Sequence, residues 1–364
     1  MGSGFFIGDD GRLVTNYHVI ADLVHHPRRY RAELGGGGSP VDTATILAID
    51  LVHDLAILGT EPRPRPHFSL QPVPVQQGDR LYALGHPHDL GLSIVEGTYN
   101  GLLQHTLYAR LHFTGSINPG MSGGPTIAAD GRVVGINVST AGEQVSFLVP
   151  VDRAIALAAT VVGGGDRPLL ATVRDQVHDF QDAYLARLFT DSIKTVDLGP
   201  FRAVTEPAEF FRCWAEVPPQ TDRPYEYSTH QCSSDDQLFI ARDQQSGIVQ
   251  LTHELITATS LNPSRYYALY TSIFARDNTP AGVEEHVTSW RCHTRNLEVG
   301  SNAIRAAQCL RAYRKLEGLY DGVVKLAILG PRDAGLVSTL ALSGVSFENL
   351  ERISARFLEL VTWH

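Results

Sequence analysis

Ser122 sits in "INPGMSGGP" (117–125), where three glycines and two prolines surround a single hydroxyl. A serine hydroxyl is a poor nucleophile until a base takes its proton and donors stabilise the oxyanion that follows. The loop can meet the second need with its own backbone. Gly120 is free to adopt a φ that turns its N–H, with that of Ser122, towards one point. Gly123 and Gly124 then keep side chains away from an approaching substrate. The base must be a histidine oriented by a buried carboxylate. Among fifteen histidines, His18 in "LVTNYHVIA" stands out because a strand ends and a helical turn begins there. Asp54 in "VHDLAIL" leads into a strand between apolar residues, where an unpaired carboxylate would be costly, so it needs a partner.

These side chains are far apart in the chain and must be carried by rigid elements. Residues 4–160 read as short strands separated by turns, beginning with "GFFIG" and "RLVTN" around "DDG", a hairpin signal. "RRYRAEL", "DTATILAI" and "DLAILG" complete a first group of five strands, with a flexible "GGGGSP" (35–40) after "RRYRAEL". The Pro-rich "EPRPRPHFSLQPVPVQQG" (61–78) is an extended linker. A second group of six strands follows: "DRLYALG", "LSIVEGTYNG", "TLYARLHF", "GPTIAA", "RVVGINVST" and "QVSFLVP". Short, evenly spaced strands with turn residues favour barrels or sandwiches. "VDRAIALAATVV" (151–162) is a closing helix, and "GGGDRP" (163–168) marks a boundary.

Beyond that boundary "TVRDQVHDFQDAYLARLF" (172–189) has helical periodicity, while "DQLFIARD", "GIVQLTHELI" and "GVVKLAILG" alternate like antiparallel strands. "SFENLERISARFLELVTW" (346–363) is amphipathic, with Ser346 as its N-cap. This half reads as α+β. All four cysteines lie in it, at 213, 232, 292 and 309, and none is in a C-x-x-C pair. Local pairing would join Cys213 to Cys232 and Cys292 to Cys309, each bridge closing a loop worth about 3 kcal/mol. Four free buried thiols, or a zinc site with His230 or His293, are the alternatives.

With 364 residues, 43% hydrophobic and 19% charged, the chain is globular and long enough for two or three domains. A net charge of −9 without basic clusters argues against nucleic acid or an anionic membrane as main partner. No run of 18 apolar residues spans a membrane, and "MGSGFFIGDDG" is no signal peptide. "HPRRYR" (26–31) reads as a solvated strand edge, and His25–His26 as exposed. His86 and His88 form an H-x-H that could ligate zinc, but a loop role fits it better. "DLGPF" (197–201) has only a faint likeness to a carboxylate-binding loop. No metal or cofactor is expected.

"TNYHV", "HDLAIL" and "INPGMSGGP", in that order, resemble the trypsin-like serine peptidases, and most closely their bacterial HtrA-type branch. "GSGFFIGDDGRLVTN", "GHPHDLGLSIVEGTYNG", "GRVVGIN" and "FLVPVD" extend the resemblance over about residues 2–160. It implies a mainly β fold of two antiparallel barrels with a catalytic cleft between them, followed by the α+β domain. The expected domains are residues 1–163, with a first barrel at 1–60, the linker at 61–78 and a second barrel with closing helix at 79–163, and residues 169–364, of unknown role. Carried over, the resemblance implies His18 as general base, Asp54 as its orienter and Ser122 as nucleophile, with the N–H groups of Gly120 and Ser122 as oxyanion hole. Ser116, six residues before the nucleophile, would stand at the base of the substrate pocket, with Asn137, Val138 and Ser139 along its wall. A serine there instead of an aspartate points to small or medium aliphatic residues before the cut bond.

Two departures stand out. Met121 replaces the usual Asn or Asp and cannot pair with a new N-terminus, so activation by that route is not expected. The first barrel lacks its opening strand, so either upstream residues are missing or its edge is open. The functional expectation is a serine endopeptidase acting on proteins or peptides; the alternatives are a silent protease-like binding or sensor protein, or an esterase. If both cysteine pairs are bridged, the protein belongs in the periplasm or outside the cell.

Overall fold

The computed structural model describes residues 1–35, 42–87, 90–140, 145–161, 168–190, 193, 195–219, 223–234 and 237–363. The 36–40 glycine run, His88, residues 163–167 and the side chain of Ser139 lie outside the described parts. The chain divides into two compact units. The first comprises Met1–Gln176 together with Leu238–Gln245, and the second Val177–Gln237 with Ser246–His364.

The first unit opens with β1 (Phe5–Phe6) and β2 (Arg12–Thr15), joined through Gly11 at φ +81°. Then come α1 (Tyr17–His25), β3 (Ala32–Leu34), β4 (Asp42–Asp50) and β5 (Leu55–Gly59). These five strands form one antiparallel sheet in the order β1-β2-β5-β4-β3, open at both edges among the described residues. Residues 60–76, the Pro-rich stretch, carry no regular structure. Six further strands close a barrel in the order β10-β11-β8-β7-β6-β9. They are β6 (Arg80–Gly85), β7 (Ser93–Leu102), β8 (Leu111–Phe113), β9 (Pro125–Ala128), β10 (Val133–Thr140) and β11 (Ser146–Pro150). β6 alternates exposed Arg80 with buried Leu81 and Ala83, the two-residue period that fills a barrel from one face. α2 (Val151–Ala159) then packs Val151, Ala154 and Leu157 into a core shared with Phe5, Val14, Ile57 and Ile136.

α3 (Leu169–Leu185) leads into the second unit, and its Gln176 is the last residue of this stretch assigned to the first. β12 (Thr195–Leu198) and β13 (Phe201–Val204) make a hairpin over Gly199, followed by β14 (Phe211–Glu216) and β15 (Tyr225–Ser234). β16 (Leu238–Ala241) and β17 (Gln244–Ser246) pair only with each other. After them come β18 (Val249–Ala258), α4 (Pro263–Phe274), β19 (Arg291–Val299), β20 (Asn302–Ala312), β21 (Leu319–Leu329) and β22 (Ala334–Ser346). α5 (Phe347–Glu359) and β23 (Thr362–Trp363) end the chain, and Ser346 caps α5 by accepting the Asn349 N–H at 3.2 Å.

The second unit is built on a seven-stranded antiparallel sheet, β14-β15-β18-β22-β21-β20-β19. α4 packs on Ile256, Ala327 and Val337, while Leu350 of α5 sits where a Cβ on Gly322 would be, so the helices cover opposite faces. Disulfides join Cys213 to Cys232 and Cys292 to Cys309. Both pairs are directly opposite in register, Cys213 on β14 against β15 and Cys292 on β19 against β20. Each bridge therefore staples an edge strand to its neighbour, where a sheet is most easily frayed.

Candidate active site

Asn16 lies between β2 and α1 in extended backbone (φ −84°, ψ 151°), which puts His18 in the first turn of α1. Thr15 pairs with Ala56 across β2 and β5, so the entry to α1 runs beside the turn that ends at Asp54. Asp54 has φ +56°. That left-handed conformation costs a non-glycine residue on the order of 1 kcal/mol or more, and aspartate tolerates it better than most. The strain is held by its carbonyl, which accepts the Tyr17 N–H at 3.2 Å and the Asn16 Nδ2 at 2.8 Å.

Turned this way, the Asp54 carboxylate grips His18 at two points. Oδ1 accepts the His18 backbone N–H at 2.9 Å and Oδ2 lies 2.6 Å from Nδ1. A carboxylate can only accept, so Nδ1 carries the hydrogen, and in the neutral ring Nε2 is then the nitrogen with the lone pair. The Asp54 side chain is 4% exposed and that of His18 21%, so the acid is sealed in while the ring keeps an open side. Beneath it Tyr17 is fully buried; burial, with the Asp54 charge adding, pushes its phenol well above the ordinary range.

Ser122 lies in the loop between β8 and β9. Gly120 has φ +100° and Gly123 +87°, conformations open to glycine. Ser3 clamps this loop: its N–H donates to the Ser122 carbonyl at 2.8 Å and its hydroxyl to the Gly120 carbonyl at 2.6 Å. From the other side Asn137 Nδ2 donates to the Met121 and Leu84 carbonyls, at 3.2 and 2.9 Å. Met121 is wholly buried in the core of the closed barrel with Leu81, Phe113 and Leu148. Among the described residues the N–H groups of Gly120 and Ser122 have no acceptor, the condition an oxyanion site requires. The Ser122 hydroxyl donates to the Val138 carbonyl at 3.1 Å, and among the described residues no hydrogen bond joins it to His18. A Cβ on Gly123 would lie 2.9 Å from the Asn16 nitrogen, so the serine loop is seated against the junction that leads to His18.

Several expectations need correction. Gly123 and Gly124 do not clear space for substrate. Added Cβ atoms would meet the Ser3 carbonyl oxygen at 2.3 Å and the Leu84 carbonyl oxygen at 2.1 Å, so close backbone packing demands both glycines. The Asn137 side chain is fully buried and bonded, with Oδ1 accepting the Thr126 hydroxyl at 2.5 Å, so it lines no pocket. Val138 is also buried and offers its carbonyl to Ser122, whereas Ser116 is exposed. His25 is buried rather than exposed: its Nε2 lies 2.8 Å from the Ile240 carbonyl, a partner 215 residues away. "HPRRYR" is a turn before β3, not a strand.

Sequence reasoning passed over Ser3, Asn16 and Phe239, whose ring centroid is 5.0 Å from that of His18. "GSGF" carried a signal for Ser3, and nothing local marked Phe239. A second histidine–aspartate pair also went unread. His53 Nδ1 is 2.7 Å from Asp50 Oδ2, and Asp50 Oδ1 accepts the His53 N–H at 3.0 Å. Burial pushes the Asp50 carboxyl up, but the His53 hydrogen bonds and the positive charge of Arg110 outweigh it and hold it below the usual range. Among the described residues no three His, Cys, Asp or Glu side chains are grouped to hold a metal, and no helix is long and apolar enough to cross a membrane.

Residues 2–136 match the family model of the trypsin-like peptidase domain. The mitochondrial serine protease HTRA2 of Bos taurus is 35% identical over 164 residues, which cover 42% of this chain and 34% of that protein. A probable periplasmic serine endoprotease, DegP-like, of Chlamydia muridarum is 29% identical over 150 residues, covering 38% and 28%. The chain thus spans about a third of the length of these relatives. Over residues 2–136 the chain is similar to the trypsin-like peptidase class. Within that class the relatives it resembles are HTRA2 and a DegP-like endoprotease. A solved serine endoprotease from Yersinia pestis is 26% identical, with a TM-score of 0.38 over 44% of this chain and 57% of that one.

Proposed function

We propose that this chain is a serine endopeptidase that hydrolyses protein or peptide substrates through an acyl-enzyme on Ser122. The observation that carries the reading is the two-point grip of Asp54 on His18, which holds a hydrogen on Nδ1 and makes Nε2 the basic nitrogen of the neutral ring. The Ser122 hydroxyl leaves Val138 by rotation about its side-chain bond and gives its proton to His18 Nε2 as Oγ attacks the substrate carbonyl. The N–H groups of Gly120 and Ser122 receive the oxyanion. His18 then passes the proton to the departing amine, and a water activated by the same nitrogen releases the acid and restores Ser122. The two staples across the second unit's edge strands support a periplasmic or secreted location, an oxidising compartment in which such bonds persist. Exposed Ser116, carrying no charge, supports cleavage after small or medium aliphatic residues.

The resting bond from Ser122 to Val138 favours one rival, a silent protease-like binding protein in which serine and histidine never engage. A fluorophosphonate probe separates the two. The peptidase reading expects covalent labelling of the wild-type chain that Ser122→Ala abolishes, together with cleavage of casein peptides. No labelling, or labelling that survives Ser122→Ala, would overturn it.

A further inference from the structure

Residue 238 lies 88 residues beyond the end of β11 (Ser146–Pro150), the last strand of the closed barrel, yet residues 238–245 belong to the first unit. Their attachment is specific to the helix that carries His18. The buried Tyr17 hydroxyl donates to the Ile240 carbonyl at 2.9 Å, and His25 Nε2 reaches the same oxygen at 2.8 Å. These two side chains lie eight residues apart on α1, on one face of the helix, so a single carbonyl ties down both of its ends. Leu238, Ile240 and Ala241 are buried, and Arg242 stands 3.9 Å from Asp22 of α1. Phe239 alone of β16 is only half-buried, with its ring tilted by 41° against the imidazole of His18.

An aromatic ring left partly open beside the exposed flank of a base is placed to touch whatever the base acts on. A peptide whose carbonyl sits at Ser122 must pass that flank, because His18 has to reach both its carbonyl carbon's attacking oxygen and its leaving nitrogen. We propose that β16 is a working part of the site and that Phe239 is a specificity-determining residue, an apolar wall that receives the side chain of a substrate residue next to the cut bond. The inference rests on the peptidase reading above. It adds that the substrate class is peptides with a bulky apolar residue beside the scissile bond, selected by a strand from far along the chain.

The test uses the full chain with Phe239→Ala and Phe239→Leu, against paired peptides that carry leucine or glycine at each position flanking the cut. With leucine peptides Phe239→Ala should raise KM about tenfold while kcat stays within about threefold, the size expected for losing one apolar contact surface. Glycine peptides should be cut equally by wild type and variant, and Phe239→Leu should recover most of the lost affinity. The pH profile of wild type should be reproduced by Phe239→Leu, which a disturbed His18 would not permit. An equal loss on leucine and glycine peptides overturns the wall in favour of simple support of α1. Faster cleavage of every peptide by Phe239→Ala overturns it in favour of a cover over His18. If the wild-type chain neither labels at Ser122 nor cuts any peptide, the peptidase reading fails and the wall fails with it; labelling with an indiscriminate response removes the wall alone.

Discussion

The mouth of α1 and the 50–53 turn hold the same device twice. In each, one carboxylate oxygen accepts a histidine's backbone N–H and the other grips its Nδ1, at 2.6 Å for His18–Asp54 and 2.7 Å for His53–Asp50. The surroundings invert the two. Asp54 is sealed beneath an open histidine, whereas Asp50 is the more exposed partner of a buried one, with side chains 23% and 11% exposed. His53 Nε2 is buried without a partner among the described residues. A histidine–aspartate grip therefore sets a tautomer but does not make a base. The outlook of the far nitrogen decides, together with what lies in front of it.

Exchanging each acid for its amide breaks the comparison most sharply. Asparagine tolerates the left-handed backbone of residue 54 and keeps one oxygen for the His18 N–H. Its NH2 group, however, faces Nδ1 and forces the hydrogen onto Nε2. Asp54→Asn should lower kcat by roughly 10⁴-fold near neutral pH with little change in fold, since the wrong tautomer cannot accept the serine proton. Steady-state kinetics with circular dichroism checks this, and a loss of less than tenfold would put His18 outside the chemistry.

A third histidine, in the second unit, sharpens the contrast because it is closed on both sides. The Ser338 hydroxyl lies 2.7 Å from His253 Nδ1, and His253 Nε2 donates to the Val204 carbonyl at 2.7 Å. Burial pushes its pKa down to about 4, and the neighbouring His230 acts in the same direction. An unfolded chain takes up this proton near pH 6.5, while the folded chain refuses it until about pH 4. His253 thus costs the second unit nothing above pH 6.5 and removes stability as the pH falls through that window, by on the order of 3 kcal/mol at its foot. Urea unfolding between pH 7 and pH 4 should show this slope, and His253→Gln should flatten it. A slope unaltered by the substitution would assign it to other groups.

What the chain disclosed unaided follows from how local each interaction is. Five strands and then six could be counted because turn residues punctuate them, and Ser122, His18 and Asp54 stood out in short stretches of strong character. Ser3 and Phe239 did not, since their value lies in partners 117 and 221 residues away, which no window of sequence brings together. His25 was misread for the same reason: an imidazole at the end of a short helix looks solvated until a distant carbonyl covers it. Gly123 and Gly124 were noticed but misexplained, because glycine marks a need for space without saying whether a substrate or the protein's own backbone fills it. In the second unit the strands alternate well enough to be found, but their order in the sheet depends on pairings that composition does not encode. β16, read as one more strand of that half, pairs only with β17 and is grouped with the other unit.

The smallest expected effect is the most discriminating one. Asp50→Asn makes at the second pair the same change that disables the first. His53 would be forced to carry its hydrogen on Nε2, a buried position that among the described residues offers no acceptor. The cost should be about 1–2 kcal/mol of stability, the usual penalty for a buried donor left unpaired. Activity should fall by less than threefold, because Asp50 and His53 touch neither the serine loop nor α1 among the described hydrogen bonds. The acid limb carries its own signature. A carboxyl held below its usual pKa in the folded state stabilises above that usual value, near 3.8, and the contribution vanishes as the pH falls through the folded value. Wild type and Asp50→Asn should therefore differ in thermal midpoint at pH 6 and converge as the pH falls below the usual carboxylate range. A variant that instead lost activity in proportion to Asp54→Asn would show that the two grips act as one unit, and the distinction drawn from their exposures would fall.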